Sequence, residues 1–292
     1  MNPKLLPVYL LFICQLRLVA EPTELRILWS TVSPTGTYAV AQSDPDSTSK
    51  DNDRAAATGD PASDFAIVNI QTRQPVLVFS GFKATDFAPL DLVDSPAPLA
   101  FCAWAPQEDH LLIVNVLDPL DCLQVDLPDG RVSKVGSTLV AAAAGISNKR
   151  MTGKTSNSVS AASFSIIDAH FISSHECYVT VNHNSVSAPP RRVDLYFQIN
   201  TGANALVFDR SEPYPNPDQP LGASILTGRQ VEHLYQTLRG FLNEPGRQLL
   251  TLQQQSWLGG RELLANYEDR VAFAQARIAE LRQKLKEELE KK

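Results

Sequence analysis

Catalytic signatures are missing from this chain. It contains no Gly-x-Ser-x-Gly elbow, no His-Glu-x-x-His helix and no glycine-rich dinucleotide turn. None of the local arrangements that raise a nucleophile, hold zinc or cradle a pyrophosphate is therefore written in one stretch. Chemistry assembled from distant residues stays open, because function resides in sites rather than in strings. The expectation is a protein that is not an enzyme and carries no cofactor. Positive charge is also scarce, with 26 Lys and Arg against 32 Asp and Glu, a net −6. Residues 21–220 concentrate the imbalance, with 13 basic against 23 acidic side chains, whereas 221–292 hold 11 against 9. An acidic body repels nucleic acid and anionic membranes and attracts a basic partner by long-range steering, unless the charge serves solubility alone.

Long hydrophobic runs are absent as well. The longest, Leu5 to Cys14, has ten residues, about half of what a membrane-spanning helix needs. Lys4 precedes it, and the more polar Gln15 to Arg17 and then Leu18-Val19-Ala20 follow. That is the layout of a secretory signal peptide over residues 1–20, cleaved after Ala20. Lipid attachment at Cys14 is the lesser reading, because Phe12 and Ile13 are bulky where lipoprotein signals have small residues. A soluble mature chain, periplasmic or secreted, is expected. Cysteine is sparse too, and Cys102, Cys122 and Cys177 remain after cleavage. In an oxidising compartment Cys102 and Cys122, the nearest pair, form one disulfide; three buried free thiols is the equal alternative.

What the chain does have, from Glu24 to Asp209, is short apolar runs rich in Val, Ile, Leu, Phe and Tyr, broken by Gly, Pro, Asn and Asp. Helical periodicity is missing there. The pattern predicts strands at Leu25–Ser30, Tyr38–Gln42, Phe65–Ile70, Pro75–Phe79, Phe101–Ala105 and Leu111–Val116, then at Cys122–Val125, His170–Ile172, Cys177–Val181, Val193–Ile199 and Ala205–Phe208. A recurrence runs through them. Trp29 to Val40 is answered by Phe101 to Ile113 and by His170 to Val179, and each is followed by a strand ending in a turn, at Ile67 to Val76, Leu123 to Val132 and Leu195 to Gly202. This weakly resembles β-propeller blades, although the units begin about 70 residues apart where blades take about 40 to 50, and a standard ring has at least four. The expected body, residues 21–210, is antiparallel and β-rich, propeller-like or sandwich-like. Its insertions are placed at Asp44–Ser63, Thr85–Leu99 and Ser137–Ala162.

Three motifs in the body fall short of the sites they resemble. Asp44 to Arg54 is acidic and turn-rich but lacks the sixth-position Gly and the closing Glu of a Ca²⁺ loop. Asn148 to Thr155 ends like a phosphate-binding loop, yet Asn148 stands where the first Gly belongs and no βαβ pattern surrounds it. Asp168, His170, His175, Cys177 and His183 are the densest set of potential metal ligands. Proximity in sequence does not bring four of them to about 2 Å from one ion, so no metal is assigned. A pocket uniting Asp168, His170 and His175 would revive a scattered hydrolase site.

Four prolines between Ser211 and Pro220 mark an extended linker, placed at 211–222. Residues 223–292 then read as a small α-helical domain, giving an α+β fold in two domains. Thr227 and Gln230 fit a capping box before the stripe Val231, Leu234, Tyr235, Leu238, Phe241 and Leu242, and Asn243 to Gly246 stops it. A second helix starts near Pro245. Leu250, Trp257, Leu264, Val271, Ile278 and Leu285 repeat every seven residues, with Tyr267, Ala274 and Leu281 at the second seam position. Gly259-Gly260 is the expected break, since two glycines cost about 2 kcal/mol of helix propensity. Three helices folded back on one another are expected rather than a coiled-coil dimer of 266–289, because the first helix needs a partner for its own apolar face.

Leu250, Gln254, Trp257 and Arg261 fall at steps of four, three and four, one stripe of a 3.6-residue helix. With Leu258 and Glu262 they resemble the signature of the LprI-like lysozyme-inhibitor family, roughly Leu-x-x-x-Gln-x-x-Trp-(Leu)-x-x-Arg-(Asp/Glu). The resemblance covers about residues 225–285, including His233-Leu-Tyr235 and Arg277 to Leu281. Gly260 stands where an aromatic often precedes the arginine, and the cysteine pair of many members is absent. The resemblance implies a helical module that binds, and by binding inhibits, a lysozyme-type muramidase. The stripe also suits a plainer role, a Trp among leucines holding the helices together. Two functions follow as expectations: an exported, non-enzymatic protein that binds a protein partner, lysozyme, or an extracytoplasmic ligand-binding or scaffold protein that uses the β-rich body, with the helical tail for docking or dimerisation.

Overall fold

The computed structural model describes residues 25–43, 65–79, 87, 100–116, 118–148, 164–183, 191–200, 202–203 and 205–291. The expected signal peptide, Cys14, the insertion Asp44–Ser63, most of Thr85–Leu99 and the phosphate-loop-like residues 149–155 lie outside them.

Among the described residues, twelve strands form three sheets of four. The first runs β1 (Leu25–Ile27), β2 (Tyr38–Ser43), β3 (Phe65–Asn69), β4 (Pro75–Phe79). The second runs β5 (Ala100–Trp104), β6 (His110–Asn115), β7 (Leu123–Asp126), β8 (Arg131–Lys134). The third runs β9 (Phe164–Ser173), β10 (Glu176–His183), β11 (Arg191–Asn200), β12 (Ala205–Pro213). Every neighbour is antiparallel, so each sheet is a meander. The sequence recurrence maps onto these sheets. Its first part covers the turn into β2 and the β5–β6 and β9–β10 hairpins; its second part covers the β3–β4 and β7–β8 turns and β11 with the start of the turn after it. The fold is mixed α and β.

Strand β6 explains how the sheets stack. His110–Asn115 is buried along nearly its whole length, which requires cover on both faces. Leu111 and Ile113 pack with Val40, Phe65 and Ile67 of the first sheet. Leu112 and Val114 face the other way, joining Ile166, Phe171, Val179, Leu195 and Phe197 of the third. The second sheet is therefore the middle layer. Two elements escaped the sequence pattern. Strand β8 carries Val132 as its one apolar residue, and helix α1 (Gly136–Asn148) lies where an insertion was expected. Its alanine run has the highest helix propensity, and Leu139, Ala142 and Ala143 seal the core between the second and third sheets.

Three further helices follow, α2 (Pro220–Phe241), α3 (Glu244–Glu262) and α4 (Tyr267–Leu289), and they fold back on one another. Helix α2 begins at Pro220, upstream of the expected capping box; Thr227 lies inside it and its hydroxyl donates to the Ala223 carbonyl at 2.9 Å. Asn243 caps α3 and Asn266 caps α4 through their side-chain oxygens. Gly259 and Gly260 do not break the chain, because α3 runs through them to Glu262. The missing Cβ of Gly260 instead admits Phe273, whose ring would stand 3.3 Å from it. The break falls at Leu263–Asn266, and Tyr267, expected in the seam, is exposed. The expected linker also shortens, since β12 reaches Pro213.

The helices share a core with the first sheet: Val32 and Ala39 join Val231, Leu234, Leu238, Phe241, Leu250 and Leu281. Backbone meets backbone there. A Cβ on Gly240 would stand 2.5 Å from the Ser33 carbonyl oxygen, and Gly36, at φ +70, would collide with Gly240 in return. The turn between them is clasped from two sides. The buried Glu108 carboxylate of the second sheet accepts from the Thr35 amide and, at 2.6 Å, its hydroxyl, while Arg247 of α3 donates to the Thr35 carbonyl and, at 2.8 Å, to that of Leu242. Among the described residues, no helix is long and apolar enough to cross a membrane.

Candidate functional site

The signature stripe of α3 points inward. Leu250, Gln254 and Trp257 are buried. The Trp257 indole stacks on Phe273 of α4 with centroids 5.8 Å apart, and its N–H meets no acceptor among the described residues. Arg261 lies over the Trp257 ring at 5.7 Å and donates to the carbonyl and hydroxyl oxygens of Ser224 on α2, at 2.8 and 3.1 Å. Gln254 accepts from Arg277 at 3.3 Å. Glu262 alone of the five is exposed. The stripe thus ties α3 to α2 and α4 and offers little surface to a partner.

The expected cysteine pair does not form, and Cys102, Cys122 and Cys177 are all free. Cys102 packs on the side of the middle sheet facing the first, whereas Cys122 lies in the core shared with the third, so the sheet itself separates them. Burial pushes the Cys122 and Cys177 thiols up to about 12 and raises Cys102 too. None is a thiolate at neutral pH, which is what a nucleophile or a disulfide exchanger requires.

The densest ligand set is dispersed. His175 sits in the β9–β10 turn with its ring 6.5 Å from that of His110, Cys177 points into the core, and His183 ends β10. Among the described residues, no group of three His, Cys, Asp or Glu side chains could hold a metal.

Asp168 and His170 go elsewhere, into a cleft of about 220 Å³ where all three sheets meet α2. Val32 and Pro34 of the first sheet's entry turn, Cys102 and Trp104 of β5, and His233, Gln236 and Thr237 of α2 complete its walls. Strand alternation sets Asp168 and His170 on one face of β9, and helical spacing brings His233, Gln236 and Thr237 to one face of α2. The walls are held by their own contacts. The Trp104 indole donates to the Thr31 carbonyl at 2.8 Å and stacks on Tyr38. Behind Asp168, the Tyr178 hydroxyl approaches its carboxylate at 3.5 Å, and the Arg229 guanidinium covers the Tyr178 ring at 4.5 Å. Arg229 in turn donates at 2.7 Å to the Asp194 carboxylate, which is 1% exposed and also takes the Thr180 hydroxyl at 2.7 Å.

Electrostatics follow from this packing. Burial lowers the pKa of His170, partly offset by Asp168, so its imidazole is neutral at pH 7 and offers both a donor and an acceptor. Burial raises the Tyr178 phenol, which stays protonated. A carboxylate, a neutral imidazole, an amide and a fixed indole can recognise hydroxyl or amine groups. A larger hollow of about 540 Å³ lies between α1 and β12, where Arg210 is already held by Glu176, Asp209 and Glu212. Of the cleft residues, the sequence marks Asp168 and His170, as potential metal ligands or, with His175, as a hydrolase pocket, and Cys102 as a disulfide partner; His175 does not line the cleft. Trp104 and His233 were visible only as parts of a repeat and of a helix, because the cleft joins residues as far apart in the chain as Ser30 and Thr237. No protein-family model matches this chain, and no curated protein matches it.

Proposed function

We propose that the chain is an exported, non-enzymatic binding protein that takes a small polar ligand in the Asp168–His170 cleft, with the helical module as one wall. One observation carries this reading: Trp104, Asp168, His170, His233 and Gln236, from three separate elements, meet in a single cleft. Polar groups convergent in a concave site are the ordinary form of ligand recognition, and the small volume suits one sugar ring or amine rather than a drug-sized molecule. The arrangement also supports a propeller-like body of residues 21–210, since β5 and β9, the first strands of their meanders, both face the cleft and α2 stands where a further sheet would. Ligand-observed NMR against monosaccharides and small primary amines tests the proposal. Binding by the chain, lost in a folded His170→Ala, Asp168→Asn double variant, is the expected result; no binding from either class, or binding that survives the double change, defeats it.

A second reading, that the helical module binds a lysozyme-type muramidase, is supported by the acidic residues 21–220, which suit a basic enzyme, with Leu250, Gln254, Trp257 and Arg261 holding the module together rather than touching the partner. Lysis assays at low salt with the chain in stoichiometric excess test it. Unchanged lysis counts against inhibition.

A further inference from the structure

Helix α3 is apolar on two opposite faces. Opposite the buried stripe of Leu250 and Trp257 lies an outward one, Leu249, Leu252, Ser256 and Gly259, continued at the same helical spacing by Leu263, the C-cap residue, whose backbone is still helical. Leu249, Leu252 and Leu263 are 58%, 63% and 87% exposed. Single exposed leucines need no explanation, but this arc also lacks charge. Pro245, Gln248, Gln253 and Gln255 flank it, and the charged residues of α3, Glu244, Arg247, Arg261 and Glu262, fall outside it. In a chain that is 20% charged, so long an uncharged outer face is unusual for a solvated helix. Gly259 adds a second anomaly. A glycine inside a helix costs about 1 kcal/mol relative to alanine. Phe273 accounts for Gly260, but a Cβ on Gly259 would meet nothing within 4 Å among the described residues, so no described contact accounts for it.

We propose that this face pairs with the same face of a second copy, α3 against α3, antiparallel about a two-fold axis. An axis passing between Trp257 and Leu258 sets Leu252 of one copy against Leu263 of the other and Ser256 against Gly259. Small residues then meet where the helices cross, allowing close approach, and leucines close the contact on either side. Charge selects the occupant. Two copies of a chain at −6 repel one another, and an uncharged face is where they approach at least cost, while it gives a basic partner nothing to hold. The arc from Pro245 to Leu263 is about 27 Å long and about 10 Å wide, which implies burial on the order of 1,000 Å² over both copies, the size of a reversible assembly rather than an obligate one.

Sedimentation velocity of the purified chain across the micromolar range tests the pairing. A monomer–dimer equilibrium is expected. Leu252→Glu and Leu263→Glu should each weaken it roughly a hundredfold by burying an unpaired charge, with circular dichroism unchanged, while Leu221→Glu, on the exposed face of α2, leaves it as it was. Register has its own readout: a mixture of Leu252→Cys and Leu263→Cys chains cross-links under mild oxidation and neither variant does so alone. A chain monomeric at every concentration, a dimer indifferent to both glutamates, or Leu252→Cys cross-linking with itself overturns the proposal. So does a monomer that lysozyme engages through this stripe, in favour of that partner.

Discussion

Arg229 joins the helices to the third sheet through one buried charge. Its partner Asp194 is 1% exposed and, among the described residues, keeps the Thr180 hydroxyl as its one side-chain partner once the guanidinium is gone. Arg229→Ala should therefore cost about 3 to 5 kcal/mol, the usual effect of stranding a buried carboxylate, read as a lower urea midpoint and partly restored by Asp194→Asn in the same background. Acid should weaken the fold in two steps of the same sign. His170 has a lowered pKa in the fold because it is buried, so below its ordinary value of 6.5 the unfolded chain takes up the proton first. Stability is level above that pH and declines as pH falls toward the folded value. Glu280 is half-covered, which opposes ionisation, but Lys284 and Arg277 donate to it and hold it below the ordinary 4.5. Its contribution is present above that pH and is lost as pH falls through the folded value. Unfolding midpoints measured on either side of pH 6.5 should differ, and His170→Gln should flatten the difference. The cysteines give a third check: native protein should react slowly with a thiol reagent at neutral pH, and denaturant should release the thiols of Cys102, Cys122 and Cys177 together, with no reductant needed.

At the scale of elements, α3 shows propensity yielding to packing. Two adjacent glycines predicted a break after Leu258, yet Trp257 against Phe273 and Arg261 against Ser224 hold the helix on both sides of them. Gly259→Ala should stabilise the monomer by about 0.5 to 1 kcal/mol, because the new methyl meets none of the described residues. Gly260→Ala should gain less or lose, since Phe273 must move away from a Cβ at 3.3 Å. Thermal unfolding of the two variants side by side distinguishes them. Most strands were legible because short apolar runs rich in β-branched and aromatic residues, bounded by turn residues, mark a strand directly even where both faces are buried. Strand β8 was not, having a single apolar residue, and α1 was not, because an alanine run carries no stripe to read.

At the scale of the molecule, the junction at Gly36 and Gly240 decides whether the helices and the sheets unfold together. Gly240→Ala places a methyl 2.5 Å from the Ser33 carbonyl. It should cost about 1 to 3 kcal/mol, the range for forcing atoms into a packed contact, and calorimetry should show the transition broaden or divide as α2 lifts from Val32. Most of the strands, the three helices from Pro220 onward and the buried apolar stripe of α3 were determined by the sequence alone, since each rests on a pattern within a few turns or strands. The placement of the second sheet between the other two, the separation of Cys102 from Cys122, and the cleft joining Trp104, Asp168, His170 and His233 were decided only by the tertiary structure. Local pattern states which face of an element is apolar. It does not state which other element covers that face, and every one of those features depends on that choice.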